Sequence, residues 1–171
     1  MENKSPEFGF NVLRIFDSVF FAEEAINPGS DTLISYGLGF YVNIEENWVQ
    51  YNVRADFSME QDKPFVTGTV VTRFGINNLK SFVDDKNNIL WPPNALEIMF
   101  GIAFSHMRAL LAKNVAGTKF SNFIVPLVNP AMVFKQIMEA HPEFEAIQIN
   151  DIQKPENEPT IKKKRKIMKD T

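Results

Sequence analysis

Residues 92–130 read PPNALEIMFGIAFSHMRALLAKNVAGTKFSNFIVPLVNP. Leu96, Met99, Phe100, Ala103, Met107, Leu110 and Leu111 recur at helical spacing, so a long helix is expected to about Asn114, with its stop at Gly117. Asn94 stands where its side chain can cap the first turn, and Glu97 follows three residues on to complete a capping box. Ile98, Ile102 and Ala109 fall partly outside the main stripe, so the apolar surface wraps past one face. A helix of that kind is usually covered from more than one side. One cover is the chain's own sheet; the other is expected to be a second subunit, a bound ligand, or both. Asn129-Pro130 opens a second helix with Val133, Phe134, Ile137 and Met138 as its stripe, and His141-Pro142 ends it.

Upstream, the chain reads as sheet. Residues 11–21 are rich in β-branched and aromatic side chains, with apolar residues on both parities, which suggests a first strand covered on both faces for part of its length. A long connection follows, with Asn27-Pro28-Gly29-Ser30 as its turn signal, so the next strand need not lie beside the first. Leu38, Phe40, Val42 and Ile44 alternate with polar or small residues. After a turn at Glu46-Asn47, Val49, Tyr51, Val53, Ala55, Phe57 and Met59 share one parity and Gln50, Asn52, Arg54, Asp56, Ser58 and Glu60 the other. A turn at Gln61-Asp62-Lys63-Pro64 leads to a strand over residues 65–76. Short turns favour an antiparallel meander. Gly37, Gly39 and Gly68 read as close packing or bulges within these strands. The polar centre of residues 77–91 is a connector.

The fold class is therefore α+β: a four-stranded antiparallel sheet with a long helix and a shorter C-terminal helix packed on one face. Three segments are expected: an N-terminal arm over residues 1–10, a folded domain over 11–141, and a charged, disordered tail over 142–171.

Composition narrows the function. No run of eighteen apolar residues exists, so no transmembrane segment is expected, and the acidic, polar start is unlike a signal peptide. The absence of cysteine excludes disulfides and thiol chemistry and fits the cytoplasm. Residues 1–150 carry 11 Lys/Arg against 17 Asp/Glu, a net −6, whereas residues 151–171 carry 7 against 4, a net +3. An acidic body argues against nucleic-acid binding by the folded part.

Chemistry is sparse. His106 and His141 lack ligand spacing with any second His, and His106 reads as a packed or partly exposed helix residue. No G-x-S-x-G or phosphate loop occurs. Glu23-Glu24, Glu45-Glu46 and Asp84-Asp85 are neighbours in sequence, and adjacent strand residues point to opposite faces, so they do not build an acid–base site. An enzyme using a small-molecule pocket has no motif to stand on, and no cofactor or metal is expected.

What is in excess is flexible and aromatic apolar residue, 16 Phe and 7 Met. Loops are normally polar, yet Leu33, Ile34 and Tyr36 lie in one connection and Phe120, Phe123, Ile124, Val125 and Leu127 in another. Either these loops cap the sheet's core, or, with Phe134 and Ile137 facing them, they form a hydrophobic groove for a partner.

Order and residues together resemble the SecB family of protein-export chaperones over residues 11–138. Asp17-Ser18-Val19-Phe20 is similar to the family's first strand, and Val71-Thr72-Arg73-Phe74-Gly75-Ile76 to the end of its last. Pro93-Asn94, Gly117-Thr118-Lys119-Phe120 and Val125-Pro126-Leu127-Val128-Asn129 are similar to its helix start, helix-ending step and loop. The resemblance implies a homotetramer, a dimer of dimers with sheets extended across subunits and long helices meeting at the tetramer interface, here through Phe100, Phe104, Met107 and Leu111. It implies an ATP-independent holdase that binds unfolded or newly synthesised polypeptides. The contact residues would be Leu33, Ile34, Tyr36, Phe40, Phe123, Val125, Leu127, Phe134 and Ile137. The family's acidic docking positions for the export motor align with Phe21 and Val70, and only Asp17 keeps its acid; the end is basic, Lys162-Lys163-Lys164-Arg165-Lys166. Service to the export motor and service to a single other partner, such as an antitoxin, both remain open at this point.

Overall fold

In a computed structural model the described residues are 7–27, 32–60 and 63–140. The element order is β1 (Phe10–Ala22), β2 (Leu33–Asn43), β3 (Trp48–Glu60), β4 (Lys63–Ile76), a 3-10 turn (Leu79–Phe82), α1 (Ala95–Val115) and α2 (Pro130–Ala140). The strands form one antiparallel sheet in the order β1-β4-β3-β2. The meander β2-β3-β4 is the one expected from the short turns. The long connection after β1 carries the chain across the sheet, so β1 and β2 become its two edges. The turn at residues 28–30, the residues 61–62, the helix end at His141 and the tail over 142–171 lie outside the described residues.

Alternation in β3 sets the two faces. Val49, Tyr51, Val53, Ala55 and Phe57 stand opposite Phe74, Thr72, Val70, Gly68 and Val66 of β4 and make the inner face. α1 lies across it, and Met99, Phe100, Ala103, Phe104, Met107, Leu111 and Val115 are buried against it in one core. Gly68 is where helix and sheet come closest: a Cβ there would sit 2.7 Å from Leu111 Cδ1. Two polar bonds fix the helix on the sheet. The buried Tyr51 hydroxyl donates to the Leu96 carbonyl (3.1 Å), and Thr72 Oγ1 meets His106 Nδ1 (3.1 Å). His106 is thus the half-buried helix residue the sequence suggested.

Two local expectations change. Asn94 does sit before the first turn of α1, but its backbone is left-handed (φ 62°) and its side chain makes no cap bond. An N-cap needs an extended backbone to swing its oxygen over the freed N–H groups; here the chain enters through a turn instead, with Ala95 N–H donating to the Pro92 carbonyl. At the other end Gly117 takes φ 77°, a conformation that costs glycine little. The apolar residues of both parities in β1 do not mean cover on both faces. Register shifts lie between Val12 and Arg14 and between Asp17 and Val19. Each extra residue reverses parity, so Val12, Ile15, Phe20 and Ala22 all fall on the inner side, opposite Phe74, Thr72, Gly68 and Val66. Within one chain β1 is an edge strand with Val12, Leu13, Ile15, Val19, Phe20 and Phe21 all exposed.

Candidate functional site

Opposite β1, the edge strand β2 presents its own inner face. Ile34, Tyr36, Leu38 and Phe40 stand across from Phe57, Ala55, Val53 and Tyr51 of β3 and are only partly buried. α2 is held against the near flank of α1. Asn129 Oδ1 accepts the Ala131 N–H (3.0 Å), which turns the chain into the helix, and Phe134 packs on Phe100 with ring centroids 5.2 Å apart. Gly101 faces Pro130 at the start of α2, where a Cβ would make an ordinary contact at 3.8 Å. Val133 is buried, whereas Phe134 and Ile137 are half-buried.

The loop between α1 and α2 closes one end. Phe120 stacks on Phe65 (5.8 Å), and Phe123 meets Phe57 (5.8 Å) and Phe65 (5.2 Å) edge-on. Lys119 donates to the Glu24 carbonyl, which ties this loop to the connection after β1. At the other end Phe40 packs edge-on against Tyr51 and against Trp91. The outcome is an apolar band from Phe123 through Ile34, Tyr36 and Leu38 to Phe40, while Phe134 and Ile137 pack on the same core from α2.

One polar atom interrupts the band. The Tyr36 ring lies edge-on to Phe104 (5.3 Å), and its hydroxyl is buried with no hydrogen-bond partner among the described residues. Burial pushes its phenol above the ordinary value, while the nearby Arg108 guanidinium works the other way. Arg108 itself donates through Nε to the Val125 carbonyl (3.3 Å). A buried hydroxyl without a partner costs about 1–3 kcal/mol, so the Tyr36 hydroxyl is a local cost to the packing of β2 on α1.

The residues expected from sequence are sorted by this geometry. Ile34, Tyr36, Phe40 and Phe123 are brought onto the band, and Phe134 and Ile137 pack on the same core from α2, against α1. Leu33 is not: it pairs with Ser58 at the outer-face register, one residue out of step with Ile34, and is 56% exposed. Val125 is 2% exposed and belongs to the core, so a bound chain could not reach it. Leu127 projects into solvent at 88% exposure beyond the band's closed end. The expected oligomer interface through Phe100, Phe104, Met107 and Leu111 is overturned. All four are at most 2% exposed against the chain's own sheet, because the strongest apolar stripe of α1 is spent on the largest apolar surface available to it. The uncovered apolar flank of α1 holds Ile98, at 53% exposure, with half-buried Ile102 and Leu110. Val70 is a core residue of β4.

Sequence reasoning missed β1 as the largest exposed apolar element. The signal was present, since apolar residues of both parities on an edge strand leave side chains in water on both faces. Among the described residues no cluster of three or more His, Asp or Glu is close enough to hold a metal ion. α1 is long and apolar enough by composition to suit a membrane span, yet eight of its residues are buried in the chain's own fold. No protein-family model matches the chain, and no curated protein matches it.

Proposed function

We propose that this protein is an ATP-independent, SecB-like chaperone that holds unfolded or partly folded polypeptides along the band between β2 and α2. The observation that carries the reading is the row Ile34, Tyr36, Leu38 and Phe40, partly buried on the sheet-edge strand β2. An edge strand offers free backbone N–H and C=O groups to an extended chain, and side chains of one parity offer it apolar contact. That combination recognises chain conformation more than sequence, as a holdase requires.

The same reading includes self-association. β1, with six exposed large apolar residues, and the flank of α1 with Ile98, Ile102 and Leu110 are the surfaces a second copy would cover. A particle larger than the monomer by light scattering at micromolar concentration is expected; a monomer across that range would refute this part.

Client binding is tested by diluting a urea-unfolded model protein into buffer and following turbidity, with no nucleotide present. The full chain should suppress aggregation. Ile34→Ser combined with Phe134→Ser should weaken protection, since the two contacts together supply about 2–3 kcal/mol when already partly buried, about 30- to 150-fold in affinity. Full protection by this variant, with circular dichroism unchanged, would sink the assignment to the band.

A further inference from the structure

We propose that the opposite, outer face of the sheet is a second docking surface, which takes an acidic, carboxylate-rich segment of a partner protein. The row Tyr41, Gln50, Arg73 and Arg14 crosses all four strands on this face, and Arg14 stands directly opposite Arg73 in the β1–β4 register. Like charges placed so are unfavourable unless something answers them, and neither guanidinium has an ion-pair partner among the described residues. Asp56 is the one carboxylate among the outward positions of the paired strands. It is already engaged, with the Arg54 guanidinium at 2.7 Å and the Thr67 hydroxyl at 2.6 Å.

Both arginines are held ready. Arg73 lies over the Trp48 ring at 4.2 Å and donates Nε and Nη2 to Gln50 Oε1, at 3.0 and 2.8 Å. That leaves its Nη1 donors without a partner among the described residues. Arg14 lies over the Phe16 ring at 4.4 Å. A guanidinium stacked on a ring has lost much of its rotamer freedom beforehand, and its fork matches a carboxylate. The Trp48 and Phe16 rings thus each carry a guanidinium, and residues 1–150 carry net −6. A long polyphosphate would be repelled by the rest of the body, whereas a short carboxylate stretch lies within one screening length, about 8 Å, of both guanidiniums. The inference is independent of client binding, which uses the other side of the sheet.

The test is fluorescence anisotropy with a labelled (Glu-Tyr)5 peptide, its (Gln-Tyr)5 analogue and a U10 oligonucleotide. To remove the basic run at the end of the chain from the measurement, every protein carries Lys162→Gln, Lys163→Gln, Lys164→Gln, Arg165→Gln and Lys166→Gln. On this background the glutamate peptide should bind more tightly than the glutamine peptide, and less so as salt rises. Arg14→Gln, on an exposed side chain, should weaken it about tenfold, the scale of one charge-assisted bond; Arg73→Lys, which keeps the charge and loses the fork, should weaken it as well. Equal binding of the two peptides, tighter binding of U10, or an unchanged affinity in Arg14→Gln would each overturn the proposal.

Discussion

Phe104→Ala separates folding from assembly. The Phe104 ring is 1% exposed, sits 5.7 Å from Phe100 and 5.3 Å from Tyr36, and belongs to the stripe that seals α1 onto β3 and β4. Truncating a fully buried Phe removes its transfer free energy and leaves a cavity, together about 3–5 kcal/mol. Total stabilities run to about 5–15 kcal/mol, so the variant is left with a fraction of its margin. In a chain of this size each kcal/mol moves the melting temperature by about 2–4 °C, which gives a fall of about 6–20 °C. The assay is urea and thermal unfolding by circular dichroism at several protein concentrations, because assembly makes the midpoint depend on concentration and core packing does not. Ile98→Asp, on the exposed flank, provides the contrast: little change in monomer stability and smaller particles by light scattering. If Phe104→Ala instead keeps its melting temperature within a few degrees and only dissociates, α1 faces a neighbouring subunit through this stripe and the packing argument fails.

Two further outcomes follow from the same core. Gly68→Val should destabilise by about 1–3 kcal/mol through overpacking, since its Cβ would meet Leu111 Cδ1 at 2.7 Å, and Leu111→Ala in the same chain should recover part of that loss in urea melts. Burial holds the His106 imidazole below the usual histidine value of 6.5. The folded state thus binds its proton less readily than the unfolded one, so this contribution to stability is present above about pH 6.5 and is lost as pH falls through the folded value. Relative to His106→Gln, the wild-type protein should lose stability between pH 7 and 5 in urea titrations, and parallel pH profiles would show that the ring is equally solvated in both states.

The fold was legible where periodicity and burial agree. β3 alternates cleanly in residue type, and its pattern alone names the inner face, although Trp48, Gln50 and Ser58 on the other face are buried as well. α1 was legible as a helix, but not in its orientation. Phe100, Phe104, Met107 and Leu111 are as apolar as an interface would be, and a sequence cannot say whether the sheet or a second subunit claims them first. The band was half legible. Ile34 and Leu33 differ by one residue, and only the pairing of Leu33 with Ser58 assigns them to opposite faces. Val125 reads like its exposed neighbour Leu127, and the path of the loop, set by Phe120 and Phe123 on Phe65, decides which of the two is covered.

β1 shows most plainly how the chain's two surfaces are linked. Without its two bulges, Ile15 and Phe20 would point to opposite faces, and so would Arg14 and Val19. With them, the inner side gathers Val12, Ile15, Phe20 and Ala22, together with Asp17 opposite Val70, and the outer side gathers Arg14, Phe16, Val19 and Phe21. One strand therefore extends the apolar layer under α1 on one side and sets Arg14 beside Arg73 on the other. A flat strand of the same composition would mix the two and would be a template for indiscriminate pairing. The Ser18 hydroxyl, which donates to the Thr69 carbonyl at 3.2 Å, stands at the second shift, where the ladder loses its regular bond. The bulges thus set the Arg14–Arg73 pair and most of the apolar inner residues on opposite sides of a single edge.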